Sequence, residues 1–237
     1  SLGVHIKKAG YYPTDVGHDL GTSYDPARWR LNETLVLKKI GKPIPMYAKR
    51  EETKIPKENN PVGFDLMAGD WVGPFGCGKS ADLVFTVKRK VIDDRNYEAD
   101  VTLTFPNHGD GVIVLPVSPD TGSQLEMPRP ALEDGYLSER RWHYEQDPIS
   151  KASIRPEPVL GYFIRVRTIL DENGKVKSAL YGKIRGDIDL YVGTKSPQAG
   201  IGFMYYINPE SNSRNMEFDP SQNLFKNLPV DQQVKRP

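Results

Sequence analysis

From Leu83 to Phe105 apolar side chains recur at every second residue. Leu83, Phe85, Val87 and Val91 share one face of the first half, and Tyr97, Ala99, Val101, Leu103 and Phe105 share one face of the second. Only an extended strand, whose side chains point alternately to opposite faces, gathers that spacing into one apolar surface. Thr86, Lys88 and Lys90, and then Glu98, Asp100, Thr102 and Thr104, fall on the opposite, solvated face. Asp93-Asp94-Arg95-Asn96 between the halves is turn-like. The segment therefore predicts an antiparallel hairpin in which Lys88 and Lys90 meet Glu98 and Asp100 across the strands.

A second pair of strands is written around Asn173-Gly174. Tyr162, Ile164, Val166 and Leu170 alternate with Arg165 and Arg167, Asp171-Glu172-Asn173-Gly174 follows, and Lys175 to Arg185 resumes the alternation. Asn-Gly between two such runs predicts a type I′ hairpin turn, whose two central residues need positive φ. Asp187 to Val192 and Ile201 to Ile207 read as two more strands. The 21 glycines and 20 prolines in 237 residues exceed the usual combined share of about 12% and fit many turns. The fold class that follows is all-β: a two-sheet antiparallel β-sandwich, jelly-roll-like, over residues 61–229. Residues 1–60 form an irregular extended N-terminal segment packing on it or leading into it, and 230–237 a tail. Within that N-terminal segment Thr34 to Ile40 leans to strand, and the charged run Lys49 to Asn60 reads as a linker or surface loop. Ala131 to Gln146 is the one stretch where helix competes, with Gly135 against it.

Lys and Arg number 32 against 31 Asp and Glu, a net charge of +1, which removes the global attraction that non-specific nucleic-acid binding draws on. No nucleic-acid partner is expected. The single cysteine, Cys77, excludes an internal disulfide framework. No window approaches 18 consecutive apolar residues, so no membrane span is expected, and no signal segment is visible. Nothing in the residues specifies an oligomeric state.

Gly73-Pro74-Phe75-Gly76-Cys77-Gly78-Lys79-Ser80 matches the phosphate-loop pattern G-x-x-x-x-G-K-[ST]. In that reading Gly78, Lys79 and Ser80 bind a nucleotide. The chemistry requires a helix after the serine, because helix N-terminal amides and dipole complete the anion site. Ala81-Asp82-Leu83-Val84-Phe85 instead has strand spacing. The preceding residues are broken by Asp65 and Asp70, and Val112-Ile113-Val114-Leu115 ends in Pro116 rather than aspartate. The context favours a glycine-rich connection entering a strand.

Asp187 and Asp189 lie two apart in a predicted strand, on one face and about 6.6 Å from each other. Two carboxylates so placed can serve as the acid and base of glycoside hydrolysis, or simply form a polar face. They, Asp93-Asp94 and the loop Asn107-His108-Gly109-Asp110-Gly111 offer oxygens of the kind that hold Ca²⁺; no other cofactor and no metal site is implied. Trp71, Phe75, Trp142 and Tyr144 can stack on sugar faces, or the tryptophans can close the ends of the core. Outward Arg165 and Arg167, with Lys88, Lys90, Lys183 and Arg185, offer a basic face to an acidic glycan, or a solvated one. The leading expectation is a non-catalytic binding or accessory domain with a carbohydrate ligand, working outside the cytoplasm as a periplasmic, cell-surface or secreted protein. The alternatives are a carbohydrate-active hydrolase or lyase using Asp187 and Asp189, and nucleotide binding at 73–80.

Overall fold

The computed structural model describes residues 2–18, 36–117, 122–150 and 152–237. Its strands are β1 (Leu2–Ile6), β2 (Thr14–His18), β3 (Tyr47–Lys54), β4 (Val62–Asp65), β5 (Asp70–Trp71), β6 (Leu83–Asp93) and β7 (Asn96–Thr104), followed by β8 (Gly111–Pro116), β9 (Glu139–Asp147), β10 (Ala152–Ile154), β11 (Val159–Leu170), β12 (Val176–Tyr191) and β13 (Gly200–Ile207). A six-stranded sheet runs β10-β9-β7-β6-β4-β5 and a five-stranded sheet runs β3-β13-β12-β11-β8, while β1 and β2 pair separately. Every pairing between these strands is antiparallel. The two large sheets face one another as a β-sandwich, the architecture that the alternation predicts.

The inner core is made by the apolar faces of both sheets, with Phe64, Phe85, Leu103 and Trp142 from one and Tyr162, Ile164, Ile184, Phe203 and Tyr205 from the other. Phe64 is fully buried. Its ring meets Trp71, Phe203 and Tyr205 edge-on at centroid separations of 5.3, 5.4 and 6.1 Å. One such side chain contributes about 1.5–3 kcal/mol by leaving water.

Both predicted hairpins are present. β6 and β7 pair with Lys88 opposite Asp100 and Lys90 opposite Glu98. Asp100 nonetheless takes its closest partner from the other side, accepting from His143 Nδ1 at 2.8 Å. The β11–β12 connection is not a type I′ turn, since Gly174 (φ 74°) is left-handed but Asn173 is not. Asp171 replaces that geometry: its Oδ1 accepts from the amides of Asn173 at 2.8 Å and Lys175 at 2.9 Å.

The five-stranded sheet is buried on both faces. Its outer surface carries Met46, Ala48, Leu115, Phe163, Ala179, Tyr181 and Tyr206 beneath Met127, Ala131, Met216, Phe218 and Val234. That second layer corrects the expectation of a solvated basic face, because Arg165 and Lys183 lie under it and are 8% and 0% exposed. The signal for it is the near-continuous apolar runs Tyr162-Phe163-Ile164 and Phe203-Met204-Tyr205-Tyr206-Ile207, which mark strands covered on both sides. Other expectations also change. Lys49 to Asn60 is not a loop throughout, since β3 forms one edge of this sheet against β13. Val36 to Ile40 holds one isolated bridge, Lys39 to Tyr11, and Thr34 and Leu35 lie outside the described residues. No helix spans 131–146; β9 runs there because Trp142 and Tyr144 alternate with Arg141 and His143 along the edge of β7. No helix among the described residues is long and apolar enough to cross a membrane.

Lys183 donates from Nζ to the carbonyl of Met216 at 2.7 Å and lies 4.5 Å from the centroid of the Tyr206 ring. Burial, assisted by the positive Arg185, lowers its pKa to about 7 against the opposing pull of Glu217 and Glu126. The unfolded chain holds this proton up to about pH 10. Between those values the unfolded state binds the extra proton, so folding becomes more favourable as pH rises. Urea midpoints should climb from about pH 7.5 to about pH 9.5 and this climb should vanish in Lys183→Met; an unchanged slope in the variant would contradict a neutral buried amine.

Candidate functional site

The glycine-rich segment 73–80 is a tight connection between β5 and β6. The strand Leu83–Asp93 follows it where a phosphate loop needs a helix. Three of its amides are already spent on carboxylates of the chain itself. Asp65 Oδ2 accepts from Lys79 N and Ser80 N, each at 3.0 Å, and Asp70 Oδ2 accepts from Cys77 N at 2.8 Å. Gly76 and Gly78 serve this close wrapping, since a Cβ would lie 2.6 Å from Asp70 Oδ1 in the first and 2.8 Å from Asp65 Cβ in the second. Burial pushes both carboxyls up, but the amide bonds outweigh it and hold Asp65 and Asp70 below their ordinary values. Internal carboxylates thus take the amides of Cys77, Lys79 and Ser80, and that of Gly78 goes to the Trp71 carbonyl, so the backbone donors that a phosphate would need are used within the chain. Cys77 is exposed, and its hydrogen bond to Asp70 raises the thiol pKa, so it does not rest as a thiolate.

Arg167 sits at an irregularity of β11 with φ 54°, between the pairs Val166–Leu180 and Ile169–Ser178. The extra residue turns its side chain toward the facing sheet, as bulges do. Its Nε and Nη2 donate to the two oxygens of Asp82 at 2.7 and 2.9 Å, and Nη2 also reaches Asp65 Oδ1 at 2.9 Å. Arg167 is a clamp between sheets and not part of a basic ligand face. Arg165, on the buried outer face, donates to the carbonyls of Gly109 at 2.7 Å and Glu133 at 3.0 Å. Asp110 in the oxygen-rich loop is likewise spent, accepting from Thr168 N at 2.7 Å, Arg167 N at 3.2 Å and Asn107 Nδ2 at 3.0 Å.

A second irregularity, in β12, lies between the pairs Arg185–Met204 and Asp189–Gly202 and contains Gly186 at φ 74°. Asp187 lies within it, and Asp187 and Asp189 still border the same space. Asp187 Oδ1 accepts from Trp142 Nε1 at 3.0 Å, from Ile188 N at 2.8 Å and from the Tyr162 hydroxyl. Burial, and then this bond to Asp187, raise the Tyr162 pKa. Asp189 remains exposed. Burial of its carboxyl, followed by the charge of Asp187, raises its pKa.

Asp187 and Asp189 line an open groove of about 650 Å³ where the sheets part, together with Tyr97, Tyr144, Tyr191 and Arg155. The groove continues toward Arg50 and Glu52 on β3. The Tyr191 ring lies over Gly202, where a Cβ would come 2.8 Å from its hydroxyl oxygen. Tyr191 is 47% exposed. Tyr144 is half-buried, and burial, followed by the charge of Asp187, pushes its pKa to about 12.

Of the aromatic residues singled out in the sequence, Trp71 and Trp142 are core residues, 4% and 2% exposed. They stand on β5 and β9, four strands apart in the sheet order, or about 19 Å. Phe75 is exposed on the glycine-rich turn and distant in the fold from Tyr144, which alone of the four reaches the groove. Tyr97 and Arg155 were not legible as site residues, because alternation assigns Tyr97 to the core and cannot position two loop ends against each other, whereas the same alternation sets Tyr191 beside Asp187 and Asp189. No protein-family model, no curated protein and no solved structure matches this chain.

Asp187 holds two core rings, so its removal and its neutralisation should differ. Asp187→Ala leaves the Trp142 and Tyr162 donors without an acceptor and should cost about 2–4 kcal/mol in urea unfolding, whereas Asp187→Asn retains an oxygen there and should cost less than about 1 kcal/mol. Equal losses in the two variants would contradict the clamp.

Proposed function

We propose that the protein is a non-catalytic carbohydrate-binding domain whose ligand lies in the groove between Tyr97, Tyr144 and Tyr191. The observation that carries this reading is the grouping of three phenolic rings with Asp189 and Arg155 around an open groove at the end of the sandwich. Phenol rings offer apolar faces to sugar C–H surfaces and a hydroxyl at the rim. Carboxylate and guanidinium groups complement sugar hydroxyls as acceptor and donor. An open groove suits a chain, which can extend past both ends of it. The same reading sets the domain outside the cytoplasm, where polysaccharides are met.

A catalytic reading has one specific support. Asp187 receives three hydrogen bonds while the pKa of Asp189 is raised. Two carboxylates whose environments differ in this way are the arrangement used by glycosidases for separate acid and base roles. Asp187 is, however, committed to Trp142 and Tyr162 on its Oδ1.

Affinity electrophoresis against neutral and acidic polysaccharides should show retardation by at least one, weakened at least about tenfold by Tyr191→Ala, with no new reducing ends. Absence of retardation throughout the panel would overturn the binding reading. Release of reducing ends that disappears in Asp189→Asn would replace it with the catalytic one.

A further inference from the structure

The described residues include three buried basic side chains, Lys49, Arg165 and Lys183, 8%, 8% and 0% exposed. Each faces the same difficulty, because a buried charge is costly without a counter-charge. Lys49 lies 2.7 Å from Glu51. Lys183 gives up its proton near neutrality. Arg165 can do neither. Its guanidinium does not deprotonate in proteins, and among the described residues it forms no ion pair. Its contacts are the Gly109 and Glu133 carbonyls and the face of Tyr136, 4.5 Å from the ring centroid. Asp110, on the loop beside Gly109, has both oxygens engaged by Asn107, Arg167 N and Thr168 N.

Those contacts fix Arg165 on one side and leave Nη2 without a hydrogen-bond partner among the described residues. The side chain lines a cavity of about 770 Å³, along with Lys175, Arg214, His108, Asn212 and Tyr181. Glu133 and Asp134 stand at the same cavity, but Glu133 is 3.4 Å from Arg214. Lysine and arginine thus outnumber carboxylates in a space of the size that holds small ligands. The tyrosine groove involves the opposite end of β12, from Asp187 onward, whereas this cavity meets Lys175 and Val176 at its start.

We propose that this cavity is a binding site for an oxyanion, a carboxylate, sulfate or phosphate group, whose oxygens take the free donors of Arg165 and are flanked by Lys175 and Arg214. A planar, immobilised guanidinium presents parallel N–H groups that match two oxygens of such a group. The site is independent of the groove and of what the groove holds.

The test follows the Arg165 Nε–H resonance by NMR in the intact protein at low ionic strength, in separate titrations with inorganic sulfate, inorganic phosphate and glucuronate. A saturable shift is expected in at least one, weakened about tenfold by Lys175→Ala and by Arg214→Gln and unaffected by Tyr191→Ala. Response to glucuronate alone would assign a carboxylate-bearing sugar, and response to the inorganic ions alone a tetrahedral anion. No saturable shift in any titration, or a shift that both Lys175→Ala and Arg214→Gln leave unchanged, would overturn the proposal. Arg165→Lys, which keeps the charge but loses the planar fork, should abolish the saturable shift read in that variant at the Arg214 Nε–H resonance; if it does not fold, the Lys175 and Arg214 variants still decide.

Discussion

Asp82 is buried between the sheets with a side chain 1% exposed, and Arg167 supplies the charge that makes its ionised form tolerable there. Burial alone pushes the Asp82 carboxyl up, and the arginine pulls it down without fully compensating. The guanidinium can reach it only because β11 carries an extra residue and Arg167 accepts a left-handed backbone. Asp65 joins the same cluster from the six-stranded sheet, and through its other oxygen gathers the amides of Lys79 and Ser80. One ion cluster therefore ties together a strand irregularity, the pairing of two sheets and the glycine-rich turn. Breaking a buried pair of this kind strands a charge in the interior, at a cost of about 3–5 kcal/mol.

The sandwich was legible because the inner core depends on a period of two, and Leu83 to Phe105 states it plainly. Where the chain departs from that period, the reading fails in a consistent way. Arg167 and Asp187 both occupy irregularities, and alternation assigned each to a solvated face when each reaches a residue of the facing sheet. The added residues, one in β11 and two in β12, leave no mark in the pattern beyond Gly186 in β12. The outer layer was missed for a different reason: residues 127–131 and 214–218 that cover the sheet are short and aperiodic, and only the doubled apolar runs beneath them hint at it. Thus Arg165 and Lys183, read as surface charges, are among the most constrained groups in the protein.

The motif at 73–80 failed for a physical reason present in the sequence itself. Glycines that expose successive amides serve any anion, and Asp65 and Asp70 lie close enough in the chain to be that anion. The two irregularities have different outcomes. The Arg167 clamp closes its part of the sandwich, while the Asp187 irregularity leaves Asp189 and Tyr191 facing a groove that opens between the sheets. Placing a polar groove at strand ends costs the core little, because Asp187 still secures Trp142 and Tyr162 behind it.

The clamp is tested most directly by a double-mutant cycle between Arg167→Met and Asp82→Leu, read as unfolding free energy in urea. A coupling of at least about 2 kcal/mol is expected, with the double variant more stable than Arg167→Met alone, because the second change removes the stranded carboxylate. Additivity within about 0.5 kcal/mol would show that the two side chains act separately and would contradict the account.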